Sequence, residues 1–321
     1  MKGKLALFLV SLALAVAASE TALHWARPGW AIFYPPICFR PDLYQPVDAY
    51  GYRLFPSRSV PHRYPVERPR TITLTSNADG FRSRREFHIA DERPRIVVVG
   101  DSMVFGEGVE EAERFTDRLE RLEPGWRVDN LGMIGFGPDL MLRALETVGL
   151  DPPPAAVLFA VFTDDFRRVV PPYSGAGFPI PRYRLEAGRL VSVPYPVLPA
   201  WERLRLVQGL LYLYWRYTPA TFALNGAILD RFLERARQDH FAPAILFLPG
   251  PQDRRDDRRR RAWLAAYAAR TGTPFLDLTD AVHAAGVERS YIPNDSHWSP
   301  DGHAVVADAL RPFVAEHVLR R

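Results

Sequence analysis

The stretch Ile96-Val97-Val98-Val99-Gly100-Asp101-Ser102 decides the fold. Four β-branched apolar residues in succession read as a strand covered on both faces, because a half-exposed strand would alternate with polar residues. The run stops at a tight Gly-Asp-Ser turn. A serine released there projects from the carboxyl edge of a sheet, beside backbone N–H groups that can stabilise an oxyanion. Taken alone, Ser102 has a second reading, as the cap of the next helix.

Similar apolar runs recur outward from it. Strand-like segments at 95–100, 127–131, 156–162, 244–249 and 273–278 alternate with helix-like ones near 111–122, 138–149, 228–239, 258–270 and 301–318. This rhythm predicts an α/β fold: a doubly wound, flavodoxin-like parallel sheet of about five strands with helices on both faces. Functional loops belong at the carboxyl ends of its strands. The last helix is signalled by Ser299 as cap, Pro300 in the first turn and Asp301 facing the dipole.

The chain has 321 residues, 47% hydrophobic, enough for a sizeable core, and a formal net charge of +4. The densest basic run, Arg254 to Arg261, is broken by Asp256 and Asp257 and reads as a solvated helix face, so no nucleic-acid partner is expected. A lone cysteine, Cys38, rules out an intramolecular disulfide. Lys2 and Lys4 precede an apolar stretch from Leu5 to Ala18, with Ala15-Val16-Ala17 as a small-residue cleavage site, so residues 1–25 read as a signal peptide or signal anchor. That stretch, about 14 residues, is short of the ~20 that span a membrane, but apolar residues continue sparsely through Ala22, Leu23 and Trp25, which keeps an uncleaved anchor open. Export places the protein outside the cytoplasm, in periplasm or cell envelope, with a membrane tether if the segment is retained.

Residues 26–92 read as an extended Pro/Arg-rich arm wrapping the core; Pro35-Pro36, Pro56, Pro61, Pro65 and Pro69 argue against long helices, while Thr71 to Thr75 alternates like a strand. Residues 93–321 form the α/β domain, with an aromatic insertion at about 165–225. Within the insertion a hairpin is expected to turn at Ala187-Gly188, followed by a helix carrying Trp201, Leu204, Tyr214 and Trp215. It is either a lid or substrate wall, or simply packs onto the domain.

Asp295-Ser296-His297-Trp298 supplies the partner for Ser102. A carboxylate and an imidazole two positions apart meet if the backbone turns between them, Asp295 holding Nδ1–H while Nε2 faces the serine. Asp301 and His303 raise a metal cluster as an alternative to capping and packing. Asn130-Leu131-Gly132-Met133-Ile134-Gly135 follows the second strand, where a dinucleotide fingerprint would follow the first, so it reads as a tight turn. Asp164-Asp165 ends the third strand, either near the serine or as a cap.

These segments resemble, in order, the blocks of the SGNH (GDSL-type) hydrolase family over roughly residues 70–318. The resemblance implies Ser102 as nucleophile with its own N–H in the oxyanion hole, Gly135 as second N–H donor, His297 as base and Asp295 as its orienting acid. The third block, usually Gly-x-Asn-Asp, reads Phe162-Thr163-Asp164-Asp165, placing Asp164 where an asparagine would donate or hold substrate. The last block, usually Asp-x-x-His, is compressed to Asp-x-His-Trp, with Asn294 three before His297. That spacing, with Asn77 and Gly80-Phe81-Arg82, is similar to an exported bacterial subgroup and to polysaccharide O-acetyltransferases. The expected function is an exported serine esterase or acyl hydrolase on a small acyl ester or acylated glycan, without metal or organic cofactor. An O-acetyltransferase on envelope polysaccharide and a catalytically silent glycan-binding envelope protein are the alternatives.

Overall fold

The computed structural model describes residues 2–26, 42–64, 69–171, 180–194, 201 and 204–319. Cys38, Pro35-Pro36, Pro65 and parts of the expected arm and insertion lie outside them.

Along the chain, helix α1 (Lys2–Ala26) precedes strands β1 (Tyr44–Val47), β2 (Gly51–Leu54), β3 (Ser59–Tyr64) and β4 (Arg70–Thr75). Then come β5 (Arg95–Gly100), α2 (Ser102–Phe105), α3 (Phe115–Leu122), β6 (Arg127–Gly132), α4 (Pro138–Ala144), β7 (Ala156–Phe162) and α5 (Asp165–Arg168). The insertion contributes β8 (Arg182–Glu186), β9 (Arg189–Val193) and α6 (Arg205–Tyr217), followed by α7 (Ala220–Asp239) and β10 (Ala242–Leu248). The chain continues through α8 (Arg255–Thr271), β11 (Phe275–Asp277), α9 (Thr279–Ala284), α10 (Val287–Ser290) and α11 (Pro300–Phe313).

The central sheet has five parallel strands in the order β11-β10-β7-β5-β6. Numbered by appearance within the sheet, this is the 2-1-3-4-5 order of doubly wound flavodoxin-like sheets, as the sequence predicts. Strand alternation divides the core. Val97, Val99, Phe159 and Ile245 join Leu140, Ile228 and Phe232 on one face. Ile96, Val98, Leu158 and Leu246 join Leu119, Val306 and Leu310 on the other. The order reverses between β5 and β7, so the crevice at their carboxyl ends is where such sheets take ligands.

The arm is more regular than expected. It carries two antiparallel ribbons, β1–β2 and β3–β4. Pro46 and Pro61 sit within them, which two-stranded ribbons tolerate because every strand is an edge. The β8–β9 hairpin turns at Ala187-Gly188 as predicted, both with positive φ, 48° and 78°, the conformation of a two-residue hairpin loop.

Helix α1 spans the expected segment 1–25 to within a residue and continues beyond Ala18, because Ser19, Glu20 and Thr21 do not break it. Its 25 residues reach about 38 Å. The segment Gly3–Ala26, mean hydropathy 2.0, is thus long and apolar enough to cross a membrane, unlike the shorter stretch read from sequence. The insertion's helix packs against it. Glu20 accepts the N–H groups of Arg205 and Leu206 at 3.0 and 3.1 Å, capping α6. Trp201, Leu210, Leu213 and Tyr214 remain exposed, so they do not pack onto the domain core. The basic run opens α8 with most of its arginines solvated, except Arg260, which donates to the Thr163 carbonyl.

Candidate active site

Ser102 is the first residue of α2, directly beyond β5. The cap of that helix is Asp101, whose Oδ1 accepts the Met103 N–H at 2.9 Å. Ser102 is therefore not the cap, and its own N–H, in the first turn, has no partner within the helix. The turn is tight enough to demand glycine on both adjoining strands. A Cβ on Gly100 would lie 2.1 Å from Val104 Cγ2, and one on Gly132 would lie 2.3 Å from the Phe105 nitrogen. Asn130 fastens the elbow from β6, donating to the Val104 carbonyl at 2.6 Å and the Thr116 hydroxyl at 2.9 Å.

His297 and Asp295 share one turn, closed by Ile292 N–H to the His297 carbonyl and Asp295 N–H to the Ile292 carbonyl. Asn294, with φ 59°, makes the reversal, a conformation Asn tolerates better than most residues. Tyr291 pairs with Trp298 beyond it. The compressed spacing therefore brings the two side chains together: His297 Nδ1 lies 2.6 Å from Asp295 Oδ1, which also accepts the His297 N–H at 3.0 Å. The far nitrogen, Nε2, lies 2.8 Å from Ser102 Oγ. Ser102 is buried, and His297 and Asp295 are partly exposed.

Electrostatics follow from this chain of contacts. Burial would lower the His297 imidazole, but the hydrogen bond and charge of Asp295, with smaller help from Glu107 and Asp101, lift it above its ordinary value. Burial would raise Asp295, but its contacts with His297 and a hydrogen bond from Tyr64 outweigh this and hold it well below the usual carboxylate range. The pair favours imidazole protonated at Nδ1 beside an ionised carboxylate.

Gly135 lies in the turn after β6, with φ 77° and the Phe136 N–H returning to the Met133 carbonyl at 3.1 Å. The Met133 N–H donates to the Gly100 carbonyl, tying this turn to the end of β5. Asp164, at the end of the loop beyond β7, accepts Arg167 at 2.7 Å and lies 3.5 Å from Arg260. Asp301 pairs with Arg289 and His303 accepts the Phe115 N–H while stacked on its ring, so both serve capping and packing rather than a metal cluster.

Two residues not singled out from the sequence belong to the site. Arg168 Nη1 contacts Asp101 Oδ2 at 2.9 Å, the Phe136 carbonyl at 3.0 Å and the Asp165 carboxylate, joining the serine turn to the glycine turn. Its position three after Asp165 at the end of β7 is the available sequence signal. Tyr64, from the arm, places its hydroxyl 2.5 Å from Asp295 Oδ2 and 2.8 Å from His297 Nδ1. A lone tyrosine in a proline-rich segment carries no such signal. Beside the Asp295 turn lies an open groove of about 700 Å³, lined by Pro251, Gln252, Val287, Glu288 and Ile292 among others.

Solved structures similar to this chain include a G-D-S-L family protein from Desulfitobacterium hafniense (15% identity, TM-score 0.46), covering 69% of this chain and 99% of that one. The esterase EstA from a Pseudoalteromonas species (12%, TM-score 0.44) covers 69% of this chain and 97% of its own. The lipase/acylhydrolase from Enterococcus faecalis (16%, TM-score 0.46) covers 70% and 97%. No protein-family model matches the chain, and no curated protein does.

Proposed function

We propose that this protein is a serine esterase or acyl hydrolase acting on acyl esters. The observation that carries the reading is the unbroken contact chain Ser102 Oγ–His297 Nε2–His297 Nδ1–Asp295 at the carboxyl edge of the sheet. In this mechanism Ser102 Oγ attacks the ester carbonyl carbon while Nε2 takes its proton. Asp295 keeps Nδ1 protonated and steadies the imidazolium. The negative oxygen of the tetrahedral intermediate lies against the N–H groups of Ser102 and Gly135. Collapse breaks the ester C–O bond, and His297 returns the proton to the departing alcohol. Water then attacks the acyl-serine by the same steps in reverse roles, releasing acid and free Ser102.

Asp164 contributes by positioning rather than by donating. Its pairing with Arg167 and Arg260 fixes the loop beyond β7, the strand beside β5. Export and retention by α1 are part of the same reading, supported by its two lysines, apolar length and exposure. An envelope location would make acylated glycans accessible substrates.

Turnover of short-chain acyl esters tests the assignment, with products analysed in the presence and absence of a glycan acceptor. Free acid that disappears in Ser102→Ala supports hydrolysis. Acyl groups moved to acceptor hydroxyls identify a transferase. Glycan binding without turnover of any ester overturns the enzymatic reading.

A further inference from the structure

We propose that Tyr64 is a positioning residue of this site, supplied by the arm: it locks the Asp295 carboxylate and, through it, the imidazole that faces Ser102. The inference rests on the reading of Ser102 as nucleophile and extends it to a residue outside the α/β domain.

Asp295 Oδ1 already receives two N–H groups of His297, at Nδ1 and at the backbone. With one oxygen held, the carboxylate can still rock about its Cβ–Cγ bond. Tyr64 holds the other, Oδ2, at 2.5 Å. One proton assignment satisfies all three groups: Tyr64 O–H donates to Oδ2, Nδ1–H donates to Oδ1, and the Tyr64 oxygen, 2.8 Å from Nδ1, offers that proton a second acceptor. Nε2 is then left without a proton, as a base for Ser102 requires.

The arm is built to present this hydroxyl. Tyr64 is buried and pairs with Arg70 across the β3–β4 ribbon. The ribbon is fastened to the segment following Ser102. Arg70 pairs with Glu113 at 2.9 Å, and the Thr73 N–H donates to Glu110 at 3.2 Å. Arg82, just past the ribbon and fully buried, donates to the carbonyls of Gly106 and Val109, both at 2.6 Å. Room for the ring comes from Gly108, with φ 79°, where a Cβ would meet the Tyr64 ring at 2.9 Å. The segment that follows the serine helix and the ribbon carrying the tyrosine are thus fitted to one another.

The test uses the full chain and a fluorophosphonate probe, whose labelling rate needs no knowledge of the natural substrate. Parent, Tyr64→Phe, Ser102→Ala and Ser59→Ala are compared, the last removing an exposed hydroxyl from the same ribbon. Each is also melted, and its downfield His297 Nδ1–H proton resonance recorded. Tyr64→Phe is expected to label about tenfold more slowly, to melt with the parent and to show a shifted Nδ1–H resonance, while Ser59→Ala matches the parent throughout. Parent-like labelling with an unmoved resonance in Tyr64→Phe overturns the inference. So does equal slowing in Ser59→Ala with a lowered melting temperature, which would assign the effect to ribbon stability. An unlabelled parent contradicts the nucleophile assignment instead, and the resonance alone then decides whether Tyr64 holds the pair.

Discussion

Arg168 grips Asp101, the residue immediately ahead of Ser102, with Nη1 2.9 Å from Oδ2, and the same guanidinium reaches Asp165. One cation thus serves two carboxylates that are both fully buried. Burial and the neighbouring Asp101 charge push the Asp165 carboxyl well above its ordinary value, and Arg168 opposes them.

Replacing that cation leaves two buried acids facing each other. Arg168→Met is expected to destabilise the protein by about 3 kcal/mol, the low end for a broken buried pair because Arg168 keeps some solvent contact. Urea unfolding measures it, and probe labelling of Ser102 should fall with it, since Asp101 caps α2. Unchanged stability would mean that Asp101 and Asp165 do not depend on this partner.

The raised His297 value sets a pH dependence. The base form of His297 is needed, and Asp295 stabilises the protonated form, so labelling should fall as pH drops through a midpoint above the ordinary ~6.5 of imidazole. Removing the charge removes the shift. Asp295→Asn is expected to move the acidic limb to lower pH while cutting the plateau rate by about 10³–10⁴-fold. A rate–pH profile of both proteins checks the direction, and an unmoved limb would contradict the pairing.

Close packing of the elbow predicts intolerance at Gly100. A Cβ there would lie 2.1 Å from Val104 Cγ2, and Gly100→Ala should cost about 1–3 kcal/mol by forcing α2 off the strand end. Labelling should be lost to a greater degree than stability, because the helix that the strain displaces begins with Ser102. Thermal melting alongside labelling separates the two effects.

Retention by α1 predicts that the full chain co-sediments with phospholipid vesicles and that a chain starting after Ala26 stays in the supernatant. Sedimentation of both forms would move the membrane contact elsewhere, and sedimentation of neither would remove the tether from the account.

The sheet is legible chiefly through β5 and β7, where burial on both faces leaves near-continuous apolar runs, whereas β6 buries Arg127, Asp129 and Asn130. The boundaries expected for the strands at 95–100 and 156–162 are those observed. Of the arm's ribbons only β4 is legible, through the alternation of Thr71 to Thr75; its partner β3 and the β1–β2 ribbon are short, two-stranded and carry Pro61 and Pro46, so propensity and periodicity fail there. The extent of α1, Lys2–Ala26, matches the segment 1–25 read from the sequence to within a residue; its continuity past Ala18 follows because Ser19, Glu20 and Thr21 favour no other structure strongly enough to end it. The contacts among Ser102, Asp295 and His297 were anticipated from residue type and chain order, but the turn that closes them depends on Asn294 at φ 59°, a conformation no spacing announces. Tyr64 and Arg168 were hidden for a different reason. Their partners lie 231 and 67 positions away, and only the folded chain brings such pairs together.

An activated Ser102 nucleophile can be captured directly. The most direct measurement is mass-spectrometric mapping of the fluorophosphonate adduct on the full chain, beside His297→Ala. A single adduct on Ser102 that disappears in the variant is expected. A folded parent that takes no adduct, or takes one equally well without His297, contradicts it.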